Sequence, residues 1–173
     1  MIVAVKSDYP YQLVAFIGTE PPLGDPVYSG PHGWYPQIAL KRRFKVSGMD
    51  EPELIKKIDL YCKTKRAFTI KIGGLTQPHS MPVKVLSVAP TPELMAFHRG
   101  YIKYFGDSLY SRYPERDGTN YLPHITAEWE GKMVIDDTAY ANKELLITKI
   151  YLLKDLDTGD SIAYRAFCLD SAC

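Results

Sequence analysis

Apolar positions recur along the chain in two rhythms, one suited to strands and one to helices. Tyr11 to Gly18 is a compact apolar run that reads as a buried strand, and Met1 to Val5 reads as a shorter one. From Gln37 to Phe44 the pattern alternates. Ile38 and Leu40 point one way, and Gln37, Ala39, Lys41 and Arg43 point the other. Leu54, Ile55, Ile58 and Cys62 then repeat at helical spacing, behind Asp50 as a cap and Pro52 in the first turn. Ala67 to Ile72 predicts a strand that stops at Gly73-Gly74, and Val83 to Val88 predicts another. Thr91-Pro92-Glu93 opens a second helix, with Leu94, Phe97, Tyr101 and Tyr104 or Phe105 on its buried side. Gly106-Asp107 ends it. Tyr121 to Trp129, Leu145 to Leu153 and Ala163 to Leu169 supply further strands, the last two joined by a turn at Asp157-Thr158-Gly159-Asp160.

Between Thr19 and Pro36 both rhythms are lost. Pro21, Pro22, Gly24, Pro26, Gly30, Pro31, Gly33 and Pro36 leave no room for a helix. A loop of this length inside a small domain is often functional, the alternative being an irregular surface connection. A polar loop from Arg112 to Asn120 precedes the strand at Tyr121. The unit of strand followed by helix occurs about twice, which predicts a duplicated α+β architecture with antiparallel sheets. The 173 residues suit one domain, 1–173, of two intimately packed lobes.

Composition narrows the classes. The formal net charge of +1 favours neither nucleic acid nor an anionic membrane as a global partner, although a local basic cleft fits it. No apolar run approaches the roughly 18 residues needed to span a bilayer. The amino terminus shows no cleavage-type pattern. Cys62, Cys168 and Cys173 are too few and too scattered for a disulfide framework and match no zinc spacing, so a reducing, cytoplasmic setting is the expectation.

The candidate chemistry lies in Leu122-Pro123-His124-Ile125-Thr126-Ala127-Glu128-Trp129. Here His124 and Thr126 share one strand face, flanked by inward Ile125 and Ala127. Tyr35-Pro36-Gln37-Ile38-Ala39-Leu40 looks like its twin, 87 positions earlier, with Gln37 over His124 and Ala39 over Thr126. Together these segments resemble the 2H phosphoesterases, a family that includes 2′-5′ RNA ligase-like proteins and cyclic phosphodiesterases. Its members carry two His-x-Thr/Ser strands facing each other across a cleft. The resemblance extends over Val85 to Tyr101 and over Tyr151 to Leu169, with Tyr164 near the end of the latter. The first motif departs from the family pattern. The helix usual between the first strand and the first motif is also absent, and the Pro/Gly loop stands in its place.

The resemblance implies a bilobal, pseudo-two-fold α+β fold, with two antiparallel sheets around a central cleft and helices outside. It implies a nucleotide or RNA end as ligand: a 2′,3′-cyclic phosphate, a 2′-5′ linkage or a cyclic nucleotide. No membrane, DNA, metal or organic cofactor is expected, and the oligomeric state is left open. Cleaving such an ester needs a proton acceptor and a proton donor, roles that suit two histidines near neutral pH. His124 fills one role, and Thr126 can contact phosphate. Gln37 transfers no proton but can donate a hydrogen bond to phosphate, and Ala39 donates nothing. Losing one acid-base partner costs on the order of 10²- to 10⁴-fold in rate. The expected protein therefore binds a phosphodiester and, if it turns over at all, does so slowly. The alternative is an inactive nucleotide-, RNA- or partner-binding relic.

His32 and His79 are candidate substitutes for the missing histidine, each otherwise an exposed loop residue. His98 reads as structural or exposed. Lys41, and less strongly Arg43, would hold phosphate from the cleft-facing side of the first motif strand. Glu128 shares the His124 face and either orients a histidine or ends its strand in solvent. Trp34, Tyr35, Tyr121 and Tyr164 lie near motif ends, where a base could stack. Of these, Tyr164 joins Thr126, Gln37 and Lys41 in the expected substrate-binding set.

Overall fold

The computed structural model describes residues 7–29 and 33–170. The strand expected at Met1 to Val5 and the candidate His32 lie outside them. The strands are β1 (Tyr11–Phe16), β2 (Gln37–Val46), β3 (Phe68–Thr76), β4 (Val85–Val88), β5 (Leu109–Ser111), β6 (His124–Thr126), β7 (Glu128–Trp129), β8 (Lys132–Met133), β9 (Glu144–Ile147), β10 (Lys149–Asp155) and β11 (Ser161–Cys168). The helices are α1 (Glu51–Lys63), α2 (Pro92–Phe105) and the single turn α3 (Asp137–Tyr140).

Both long helices start where the sequence predicts. The Asp50 carboxylate accepts the Glu53 N–H at 2.9 Å, and the Thr91 hydroxyl accepts the Leu94 N–H at 3.4 Å. Leu54, Ile58, Tyr61 and Cys62 of α1, and Leu94, Phe97, Tyr101 and Phe105 of α2, are buried. α1 packs on β11 and α2 on β2.

The sheet path runs β11-β10-β1-β2-β6-β4-β3-β9, antiparallel throughout, with β5 paired to the far end of β2. Its two halves meet in one residue pair, Ile38 with Ile125. The two expected sheets are thus hydrogen-bonded into a single path at the centre of the molecule. β9 ends that path and β10 is the next-to-last strand at its other side, yet only Thr148 separates them in the chain. In a flat sheet with strands about 4.8 Å apart, β10 and β9 would lie roughly 29 Å from each other. One residue cannot span that, so the sheet curls until its ends meet. The single strand expected over Leu145 to Leu153 is therefore two, divided at Thr148.

Three further differences matter. β3 does not stop at Gly73-Gly74 but bulges there, between Ile72 and Leu75, and runs on to Thr76. The strand expected over Tyr121 to Trp129 is broken at Ala127. The N–H groups of Ala127 and Glu128 both donate to the Lys84 carbonyl, at 3.0 and 3.1 Å, and the chain leaves the sheet to form the β7–β8 hairpin. Glu130 and Gly131 turn that hairpin, both at positive φ. Cys62 is a buried free thiol, whereas Cys168 is disulfide-bonded, contrary to the expectation of reduced cysteines.

The main core lies between the helices and one face of the sheet, and includes Leu13, Ile38, Leu40, Phe44 and Ile125. A smaller cluster on the opposite face holds Val14, Phe16, Val27, Tyr35, Tyr151 and Leu153. The Pro/Gly loop is strapped over this second face. Gly24 N–H donates to Ala163 O at 2.8 Å, and Val27 N–H to Ser161 O at 2.9 Å.

Candidate active site

Gln37, Ala39, His124 and Thr126 alternate away from the main core and line a cavity of about 500 Å³ on the face opposite the helices. Because Ile38 pairs with Ile125, the antiparallel ladder sets Ala39 beside His124 and Gln37 beside Thr126. The two motif strands expected to lie together are therefore paired, with Gln37 and Ala39 facing Thr126 and His124.

His124 is only 8% exposed. Its Nδ1 lies 2.9 Å from the Leu122 carbonyl, and its Nε2 lies 3.1 Å from Arg42 Nη2. A carbonyl only accepts and a guanidinium only donates, so the ring is neutral, with its proton on Nδ1. Burial pushes its pKa down to about 4, and the charges of Arg42 and Arg116 act in the same sense. At neutral pH His124 is therefore an uncharged imidazole whose Nε2 lone pair accepts from Arg42 at the cavity wall.

Arg42 comes from an interruption in strand alternation. Val14 pairs with Ala39 but Leu13 with Lys41, and Tyr11 with Phe44, so β2 carries two register shifts. The first sends Lys41 to the helix side. Lys41 does not line the cavity. It is 1% exposed, and its ammonium donates to both carboxylate oxygens of Asp117, at 2.9 and 3.0 Å. Arg42 and Arg43 then both turn to the cavity. Arg43 is ion-paired with Asp155, which leaves Arg42 and Arg116 as the cationic groups nearest His124. Arg116 lies on the loop after β5, which the Lys41–Asp117 pair holds against β2.

The strap contributes Tyr28 and Trp34. The Trp34 ring lies 4.5 Å from Tyr28 and 5.8 Å from Trp129, so the strap and the β7–β8 hairpin meet at the cavity wall. Gln37 is 9% exposed and donates from Nε2 to the Tyr28 hydroxyl at 2.6 Å.

The other expected site residues lie elsewhere. The Tyr164 hydroxyl donates to Glu51 on the helix side, in a cluster with Tyr11 and Lys154, so Tyr164 is not in the cavity. Tyr35 and Tyr121 are buried in the two cores. Glu128 pairs with Lys84 at 3.3 Å. His79 is exposed in the turn between β3 and β4 and does not line the cavity, although the adjoining Ser80 does. His98 is structural. It donates from Nδ1 to the Leu40 carbonyl at 2.8 Å, accepts the Gly118 N–H at 3.0 Å on Nε2, and stacks on Tyr121.

Arg42, Arg116 and Tyr28 are among the cavity residues that the sequence pattern did not reveal. One signal was present: Lys41-Arg42-Arg43 puts charges on both faces of a strand that has a buried face, which requires a bulge. Among the described residues no group of three or more His, Cys, Asp or Glu is placed to hold a metal ion.

Neither a protein-family profile nor a curated protein sequence matches the chain. Solved structures do. A phosphoesterase superposes with a TM-score of 0.60 at 14% identity, over 94% of this chain and 98% of that one. TT0787 of Thermus thermophilus does so at 0.52 and 13% identity, over 92% and 97%. E. coli LigT complexed with NADP+ aligns at 0.48 and 16% identity, over 94% and 99%. At these identities the likeness is one of fold. That fold is the one the paired motif segments led us to expect, the α+β fold of the 2H phosphoesterases.

Proposed function

We propose that the cavity binds a phosphodiester of a nucleotide or RNA end, and that His124 accepts a proton in its cleavage. The observation that carries this reading is the state of His124: a neutral ring with Nε2 turned into a cavity beside Arg42 and Arg116. Guanidinium groups match phosphate oxygens in charge and fork geometry. Thr126 adds a hydroxyl on the same strand face. The fold shared with a phosphoesterase supports the same chemistry. In the free protein Arg42 caps the histidine. An arriving phosphate competes for the guanidinium and leaves Nε2 free to take a proton from a water or a 2′-hydroxyl. Proton transfer of this kind needs no metal. The candidate ligands are 2′,3′-cyclic nucleotides, 2′-5′ linkages and cyclic nucleotides.

The inactive binder remains the second reading. Its specific support is that Gln37 and Ala39, facing His124 and Thr126, transfer no proton.

Calorimetric titration and turnover assays with 2′,3′-cyclic AMP, a 2′-5′ oligoadenylate and a cyclic dinucleotide test the proposal. At least one should bind, and Arg42→Ala should weaken it. His124→Ala should remove any turnover without comparable loss of binding. Failure of all three ligands to bind would reject the phosphodiester cleft.

A further inference from the structure

Tyr28 is a cavity group that this chemistry has not used. The strap that carries it is firmly seated: Pro26 bridges Ile162, and Tyr35 N–H returns to Val27 O at 3.0 Å. The Tyr28 oxygen accepts a hydrogen bond from Gln37 Nε2 at 2.6 Å. A phenol oxygen engaged in this way must turn its own O–H elsewhere. Among the described residues its acceptor is Gln12 Oε1 at 3.5 Å, the outer limit of a hydrogen bond. The phenolic proton is therefore loosely held, in a cavity that Gln12, Tyr28, Gln37 and His124 line together. The other end of Gln37 is consistent with this. Among the described residues its Oε1 is buried without a hydrogen-bond partner, a costly state.

We propose that Tyr28 is the general acid of this cleft and Gln37 its positioning residue, so that the first motif half has been rebuilt around a phenol. This rests on the phosphodiester reading above. A water oxygen attacks phosphorus as its proton passes to His124 Nε2. The new P–O bond forms, the bond to the departing ester oxygen breaks, and that oxygen takes the proton of Tyr28 Oη. The phenolate left behind faces Arg42 and Arg43 and keeps the Gln37 hydrogen bond. It recovers a proton from the His124 imidazolium through solvent, which closes the cycle.

The surroundings of the two groups separate their roles. Burial raises the Tyr28 pKa, against the pull of Arg43, Gln37 and Arg42, so the phenol keeps its proton at neutral pH. Burial, Arg42 and Arg116 lower that of His124, against the Leu122 carbonyl, so the imidazole is free to accept one. Two titratable groups pushed apart in this way form an acid and a base. Arg42 likewise stands beside His124, where Ala39 offers no donor.

The test is steady-state kinetics on two esters, 2′,3′-cyclic AMP and bis(p-nitrophenyl) phosphate, together with calorimetric binding of the cyclic nucleotide. Nitrophenolate leaves without a proton, so a general acid is dispensable for the second ester. Tyr28→Phe should lower kcat on the cyclic nucleotide by on the order of 10²-fold or more, with KM little changed, and on the nitrophenyl ester by less than about tenfold. Gln37→Ala should follow the same pattern with a smaller loss. His124→Ala should lower both. Equal losses on the two esters in Tyr28→Phe, or no loss on either, would overturn the acid role. So would binding of the cyclic nucleotide without turnover in the unaltered protein, and both results leave the binding cleft standing. No binding of either ester would overturn the acid and the cleft together.

Discussion

His124 is held neutral by its surroundings, and that has a consequence for stability. Its ordinary pKa of 6.5 falls to about 4 in the folded protein, mainly through burial. Between those values the unfolded chain binds a proton that the folded chain refuses. Stability is therefore full above pH 6.5 and is lost as pH falls toward 4, by up to roughly 3 kcal/mol. Buried His98 is shifted in the same direction and adds to the slope. Glu51 governs a separate window. Its carboxylate accepts hydrogen bonds from Lys154, Tyr164 and Tyr11, which outweigh burial and lower its pKa from 4.5 to about 2. Its contribution is present above pH 4.5 and disappears as pH falls toward 2. Denaturant midpoints measured from pH 7 to 4.5 should fall steadily, and His124→Asn should flatten much of that slope, leaving the share of His98. A midpoint constant over this range would contradict the burial and pairing assigned to His124.

The Lys41–Asp117 pair shows how a strand irregularity fixes a neighbouring loop. Lys41 is almost fully buried, while Asp117 is partly exposed, also accepts from Ser111, and lies 3.9 Å from His98 Nε2. Asp117→Ala leaves an ammonium buried without its counter-charge, which should cost about 3–5 kcal/mol. Lys41→Met places an apolar chain in the same space and leaves a carboxylate that water can reach, so it should cost clearly less. Urea denaturation of the two variants checks the order. Asp117→Ala should also weaken ligand binding, because Arg116 sits on the loop that the pair restrains.

The same element shows what was legible in the sequence. α1 and α2 followed from caps and apolar stripes, because those signals are local. The His124 strand and its twin followed from their shared Pro-x-Ile pattern. The placement of Lys41 did not, since alternation holds only while the ladder is regular, and β2 shifts register twice. The breaks at Ala127 and Thr148 were also hidden. The first is made by the distant Lys84 carbonyl, and the second by pairing with strands at opposite ends of the sheet. Tyr28 lay in a loop with no periodicity to read, and its proposed role depends on Gln37 and Gln12, which only the fold brings to it.

At the scale of the whole molecule, one residue pair, Ile38 with Ile125, joins the two halves of a curled sheet, and the cavity opens beside that joint. The cavity lining thus comes from both halves: Gln37 and Arg42 from one, His124 and Thr126 from the other. The Tyr28 strap and the Trp129 hairpin close the wall between them. The central claim is that a phosphodiester occupies this joint. The most direct measurement is an NMR titration of ¹⁵N-histidine-labelled protein with 2′,3′-cyclic AMP, following the His124 ring. The account predicts that the His124 Nε2 signal shifts in a saturable manner as Arg42 moves to phosphate, while His98, buried behind β2, stays near its starting position. Saturable binding that leaves His124 unmoved, or no binding at all, would contradict it.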